Sequence, residues 1–434
     1  MSTTPLTLSF AGQQPPIALP QVPGTRGPVG VDMRGLNQSG FCSYDPGFAN
    51  TAGCQSAISW IDTENSVLLH RGYPVDQLAR QCDFLEVAYI MLNGDAPDEA
   101  SYQTFRETIT RHTLVHEQIA RMCSGFRRDS HPMALMCALV GALAAFYHDV
   151  LDVENPQHRA LAATRLLSKM PTIAAMSYKY TIEQPAAYPR NDLSYAGNFL
   201  QMLFAIPAEK YVLNPVIEQA MNQILVLHAD HGQCASTTTV RAAGSSGANL
   251  FACVAAGLAS LWGPMHGGAN ESSMRMLEEI ESVDQVPAFL RQAKRDPQAF
   301  RRLGFGNSRY RHRDPRADIL RETSHRVLAE VGMSDRLLQV AMALEDVALT
   351  DPYFVENGLS PSVDFYTAVI LKAMNLPSSM FAVVTAVGRT VGWVAHWNEM
   401  HQAPLTIYRP RQIYVGEGYR DYVSRRGERS AELR

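Results

Sequence analysis

Asn249-Leu250-Phe251-Ala252-Cys253-Val254-Ala255-Ala256-Gly257-Leu258-Ala259-Ser260-Leu261-Trp262-Gly263-Pro264-Met265-His266-Gly267-Gly268-Ala269-Asn270 is the stretch whose reading decides the fold. It ends an uncharged segment that runs from Ala242 to Asn270. A helix apolar all round belongs inside a large protein or inside a membrane. This one is bounded by Gly, Ser and Asn and interrupted by Pro264, and it is shorter than the roughly 20 residues a span needs. It therefore reads as a buried helix of a large helical core. The apolar run 132–147 reads the same way.

The only group of the segment that titrates near neutral pH is His266, set between Met265 and two glycines. Two readings stay open from the residues alone. One is a helix end whose histidine caps a carbonyl. The other is a titratable group in a dry place, where catalytic chemistry is concentrated.

The rest of the chain is consistent with a large helical enzyme. It has 434 residues, 46% hydrophobic and 18% charged, with a net charge of -4. That length suggests a large domain and a smaller one. The charge leaves no basic footprint for nucleic acid. Positive charge is nearly all arginine; Lys169, Lys179, Lys210, Lys294 and Lys372 are the lysines. Arginine suits forked binding of carboxylate or phosphate, although genome composition gives the same bias. The seven cysteines, Cys42, Cys54, Cys82, Cys123, Cys137, Cys234 and Cys253, are odd in number and lack metal-ligand spacing. They fit free thiols in a reducing compartment. The N-terminus shows no secretory pattern, so a cytoplasmic protein away from membranes is expected.

Apolar spacings of three and four predict helices over 84–92, 102–123, 133–147, 156–169, 171–179, 215–228, 249–261, 271–280, 318–331, 334–349, 362–374 and 379–399. A small strand pair is expected between 45 and 71. Residues 1–30 are rich in Pro, Gly and Gln, and 1–40 reads as an irregular arm. Residues 41–270 with 377–434 are expected to form the large domain, and 271–376 the small one. The charged tail from Arg420 is expected to fray.

Three further segments carry chemistry. In Leu227-His228-Ala229-Asp230-His231-Gly232 two histidines stand three apart, as metal ligands can, but no further ligand follows at a usual spacing. Gly304-Phe305-Gly306-Asn307-Ser308-Arg309-Tyr310-Arg311-His312-Arg313-Asp314-Pro315-Arg316 lacks the Gly-Lys-Ser/Thr of a phosphate loop, yet its arginines suit an anion. Pro361-Ser362-Val363-Asp364 puts an aspartate in the first turn of a predicted helix, where the helix dipole alone would also favour it.

Together with Tyr44-Asp45-Pro46-Gly47-Phe48, Leu69-His70-Arg71-Gly72-Tyr73-Pro74, Phe126-Arg127-Arg128-Asp129-Ser130-His131-Pro132, Tyr188-Pro189-Arg190-Asn191-Asp192 and Trp393-Val394-Ala395-His396-Trp397-Asn398-Glu399, these segments resemble citrate synthase. The resemblance covers about 41–411 and is similar to the hexameric, NADH-sensitive type of Gram-negative bacteria. It implies an all-α fold whose large and small domains close over substrate, and an obligate homodimer unit. It implies an acyltransferase that condenses acetyl-CoA with oxaloacetate to citrate and CoA, as in the tricarboxylic acid cycle. Acetyl-CoA is then a substrate, and neither cofactor nor metal is required. By the same resemblance Asp364 is the base that takes a methyl proton, and His266 donates to the thioester oxygen. His231, Arg316, Arg389 and Arg409 bind oxaloacetate, with Arg409 reaching the partner subunit's site.

This chain departs from the family pattern in three places. Asn307 stands where the family has the histidine that polarises the ketone. Gly232 and Cys234 stand where it usually has Glu and Asn. All three lie on the oxo-acid side. Four readings follow: a citrate synthase with an atypical polarising group, a paralogue using a different 2-oxo acid, a non-catalytic homologue, or a metal-dependent hydrolase built on His228 and His231.

Overall fold

The computed structural model describes residues 4–9, 15–295, 304–305, 310, 313–332 and 335–422. Contacts divide the chain into two units, 1–23 with 29–52 and 408–434, and 24–28 with 53–407. The expected boundary between large and small domains falls inside the second unit. The tail beyond 422 lies outside the described residues.

In the first unit β1 (Leu6–Leu8) pairs antiparallel with β2 (Ile17–Leu19), and β3 (Gln21–Val22) with β4 (Gly30–Val31). A 3-10 turn, Met33–Gln38, follows, capped by the Asp32 side chain. The expectation of an irregular arm over 1–40 is thus corrected. Leu6-Thr7-Leu8 and Ile17-Ala18-Leu19 are short, but pairing satisfies backbone groups that proline-rich flanks would otherwise leave to water.

The second unit begins with β5 (Ser59–Asp62), β6 (Val67–His70) and β7 (Tyr73–Pro74), one antiparallel sheet. The rest is helical: α1 (Val75–Gln81), α2 (Phe84–Asn93), α3 (Glu99–Thr110), α4 (Glu117–Met122), α5 (Pro132–Phe146), α6 (Pro156–Thr181), α7 (Tyr195–Phe204), α8 (Pro215–His228), α9 (Ala235–Gly244) and α10 (Leu250–Leu261). Then come α11 (Ala269–Glu279), α12 (Val286–Ala293), α13 (Pro315–Val331), α14 (Arg336–Thr350), α15 (Pro352–Glu356), α16 (Val363–Ala373) and α17 (Phe381–Met400).

Three differences from the spacing-based reading have physical causes. The helix expected over 102–123 breaks between α3 and α4, where His116 caps α4 through its ring nitrogen. The two helices expected on either side of Met170 are one, with Pro171 inside it. An interior proline costs about 3 kcal/mol. Here the helix is buried almost without interruption from Ala162 to Lys179, and that packing offsets the loss. Helices α1, α7, α9, α12 and α15 were not expected. The run Ala235-Ser236-Thr237-Thr238-Thr239 has weak intrinsic propensity, but α9 packs on α10 and α17, and packing outweighs propensity.

Helix α17 is buried at every position from Phe381 to Trp397. Of the described helices, its stretch Ser378–Met400 alone is long and apolar enough to cross a membrane, yet 89% of that window lies inside the protein. Helix α17 approaches α8 closely. A Cβ on Gly388 would lie 2.8 Å from the Leu225 carbonyl oxygen, and one on Gly392 2.4 Å from that of Ala229. Those two glycines bring Arg389, which follows the first of them, against the C-terminal end of α8.

Candidate active site

Asp364 occupies the second position of α16, whose N-cap Ser362 accepts from the Asp364 and Phe365 backbone N–H groups. Burial pushes its carboxyl up to about 6. Arg316, His266 and Arg389 pull it the other way, while Asp314 adds to the rise. A carboxylate in such a place titrates near the working range of an enzyme.

Asn270, in the first turn of α11, is 1% exposed and reaches this carboxyl. With its amide oriented by the hydrogen-bond network, Nδ2 donates to Asp364 Oδ1 at 2.5 Å and Oδ1 accepts from Thr385 at 3.3 Å. A donor on the carboxylate favours its ionised, basic form.

His266 lies in the turn between α10 and α11, so its ring is held by the end of one helix and the start of the next. Its Nε2 is 2.8 Å from Ser236 Oγ, and the Trp393 indole N–H donates to the same oxygen at 3.2 Å. With one lone pair engaged by Trp393, the hydroxyl hydrogen is free to point at Nε2. The same Ser236 oxygen lies 3.4 Å from Cys234 Sγ, so it joins the ring to that sulfur. The ring thus engages a hydroxyl rather than the carbonyl that a helix-end cap would bind.

Arg316 and Arg389 are both nearly inaccessible, 6% and 4% exposed. Arg316 forks onto Asp314, Nε to Oδ1 at 2.9 Å and Nη2 to Oδ2 at 2.7 Å. Its remaining bond, from Nη1 to the Leu227 carbonyl, is 3.3 Å. Burial alone would weaken its hold on a proton, but Asp314 more than restores it. Arg389 donates from Nε to the His228 carbonyl at 2.7 Å and from Nη1 to Cys234 Sγ at 3.2 Å. Among the described residues it makes no ion pair with a carboxylate. His231 is half-buried, with Nε2 3.0 Å from Tyr310 Oη.

Asp364 is thus within electrostatic reach of His266, Arg316 and Arg389. Arg409 belongs to the other unit, where it is exposed and outside any helix or strand. Asn307, Arg309, Arg311 and His312 lie outside the described residues. Their flanks are placed: Phe305 forms a β-bridge with Pro361, just before Asp364, and Tyr310 meets His231. His228 does not pair with His231 as a metal site would require. Its Nδ1 bonds the Ile224 carbonyl of its own helix, and burial drives the ring down to about 3, neutral at any ordinary pH.

The sequence reading missed Ser236, Asn270 and Trp393. All three act through contacts 30 or more residues away along the chain. Asn270 and Trp393 stood within quoted motifs without a role, and Ser236 stood two residues after Cys234.

The family model described as "Citrate synthase, C-terminal domain" matches residues 47–411. Among solved structures, citrate synthase from Pyrobaculum aerophilum is 32% identical with a TM-score of 0.80, over 87% of this chain and 93% of that one. The enzyme from Thermotoga maritima is 28% identical with a TM-score of 0.73, over 87% and 97%. The ternary complex of carboxymethyl coenzyme A and oxaloacetate with citrate synthase from Thermoplasma acidophilum is 26% identical with a TM-score of 0.79, over 88% and 99%.

Proposed function

Because the chain belongs to the citrate synthase family, an all-α family of carbon–carbon bond-forming acyltransferases, we propose that it condenses acetyl-CoA with oxaloacetate, giving citrate and CoA. The observation that carries this reading is the buried carboxyl of Asp364, raised to about 6 and held by Asn270, within reach of the His266 ring.

In the proposed reaction Asp364 removes a methyl proton from acetyl-CoA. His266 donates a ring N–H to the thioester oxygen and stabilises the enol or enolate. A carboxylate is a weak base for that proton, so a preorganised donor in a dry pocket must supply the difference. The enolate carbon attacks the ketone of oxaloacetate, and water then cleaves the citryl thioester. Only protons and electron pairs move, so acetyl-CoA as substrate suffices without a cofactor or metal.

Arg316 and Arg389 bind the oxo-acid carboxylates with His231, and Arg409 serves the partner subunit's site. Forked guanidinium contacts fix which face of the ketone is attacked. Asn307 takes the ketone-polarising role through its amide N–H, as a neutral donor in place of the family's histidine. We further assign 41–270 with 377–434 to a large domain and 271–376 to a small one. The assembly is a homodimer unit of the Gram-negative type, extended to a hexamer.

A second reading, condensation with a different 2-oxo acid, is favoured by one observation, the thiol of Cys234 on Arg389. Free-thiol release over a panel of acyl-CoAs and 2-oxo acids, with Asp364→Asn as the blank, separates the two. Turnover confined to oxaloacetate supports the first, turnover on another oxo acid the second, and silence across the panel refutes both.

A further inference from the structure

Cys234 precedes α9 as its N-cap and is 6% exposed, yet its surroundings are not those of a cysteine packed as a small hydrophobe. The Arg389 Nη1–H donates to Sγ at 3.2 Å. Thr237 Oγ1 lies 3.2 Å from the sulfur and Ser236 Oγ 3.4 Å. A guanidinium and neighbouring hydroxyls converging on one sulfur make the electropositive pocket that stabilises a thiolate.

Burial alone would push this thiol up. Arg389 first, then His266 and the Ser236 hydroxyl, outweigh burial and hold it well below its ordinary range. Elsewhere burial wins: it pushes Cys82 and Cys253 up to about 12 and Cys137 up to about 11, and it raises Cys54 and Cys123 as well.

We propose that Cys234, as the buried counter-ion of Arg389, is a specificity-determining residue of the 2-oxo-acid site that makes binding of a dicarboxylate such as oxaloacetate depend on the sulfur taking up a proton. The inference rests on the assignment of Arg389 to the 2-oxo acid. Arg316 already carries Asp314 as its fork partner, so each of the two buried arginines arrives with an anion of its own. Asp364 and the fully buried Asp230, which the Arg389 charge helps keep ionised, add further negative groups to the same field. A dicarboxylate competes with all of them, whereas a monocarboxylate brings one charge fewer. The Cys234 thiolate can yield by taking up a proton, so dicarboxylate binding is linked to protonation of that sulfur.

The sign follows from the linkage. Affinity for a dianion falls as pH rises above the thiol's own pKa, approaching about tenfold per pH unit for one linked proton. Other titrating groups face the sulfur or share the field of Arg389: His266 from the turn before α11, Asp364 from α16, His228 at the end of α8, Asp230 just after it and His70 from β6. A variant at Cys234 separates its contribution from theirs.

The test is calorimetric binding of oxaloacetate and pyruvate between about pH 6 and 8, to the wild type, Cys234→Ser and Cys234→Asn, with the ultraviolet thiolate absorbance of each protein recorded alongside. The expected result is a thiolate signal at neutral pH that both variants lose. The pyruvate-to-oxaloacetate affinity ratio should climb with pH in the wild type and stay flatter in both variants. A wild-type ratio independent of pH, the same slope in the variants, or no thiolate signal overturns the inference alone. Failure of the wild type to bind either acid overturns the proposed substrate class and the inference with it. If neither variant folds, the pH dependence of the wild-type affinity ratio still decides.

Discussion

Replacing the proposed base should make the protein more stable. Asp364 is buried, and its carboxyl is raised from 3.8 to about 6. The folded state therefore binds that proton more tightly than the unfolded chain does. Stability is lost as pH rises between those two values, and the ionised group is a net cost above the upper one. A rise of about 2 pH units corresponds to about 3 kcal/mol at 1.36 kcal/mol per unit. Asp364→Asn replaces the carboxylate with a neutral isostere whose oxygen can still accept from Asn270. The variant should gain up to about 3 kcal/mol at neutral and alkaline pH. For 434 residues, an unfolding entropy of about 2 cal/mol/K per residue turns this into roughly 3 °C in melting temperature. The assay is thermal unfolding of both ligand-free proteins at about pH 8 and about pH 4.5, which bracket the titration. The offset should be present at the higher pH and shrink at the lower. A variant that melts below the wild type at the higher pH, or an offset equal at both, would refute the reasoning.

Four further outcomes are expected. The kcat/KM for acetyl-CoA should rise with pH through about 6 as Asp364 ionises, and an acid limb near the ordinary carboxylate value would contradict the burial argument. Ser236→Ala removes the group that orients His266, and kcat should fall about tenfold, the equivalent of one hydrogen bond of about 1.4 kcal/mol, while the KM for the oxo acid holds. A KM effect alone would place Ser236 elsewhere in the mechanism. Asn307→His restores a chargeable donor to the ketone and should raise oxaloacetate turnover, by up to about 100-fold; an unchanged rate would remove Asn307 from that role. Gly392→Ala forces a Cβ to within 2.4 Å of the Ala229 carbonyl oxygen. It should lower stability by about 1–3 kcal/mol and weaken oxo-acid binding through Arg389, as thermal melts and steady-state kinetics would show.

Long helices with clear punctuation were legible from the sequence. The spacing gave 215–228 residue for residue as α8, with Asn214 as cap and Pro215 at the first position. What was not legible depended on tertiary packing. Pro171 reads as a helix end, yet α6 runs through it because nearly every position around it is buried. The threonines of α9 read as loop, yet α10 and α17 hold them helical.

The site divides the same way. His266 and Asp364 stood out locally, one in an uncharged segment and the other in a helix first turn. The groups that orient them did not, because Ser236 with His266 and Asn270 with Asp364 are neighbours only in space. Cys234 was visible as a departure from a familiar pattern, but its partnership with Arg389 required the fold, since 155 positions separate them.

The most direct measurement of the central claim is product identification from methyl-labelled acetyl-CoA and oxaloacetate, with wild-type protein and with Asp364→Asn. The account predicts labelled citrate and stoichiometric free CoA from the wild type, and neither from the variant. Citrate formed equally well by Asp364→Asn, or CoA released by the wild type without a new carbon–carbon bond, would contradict it.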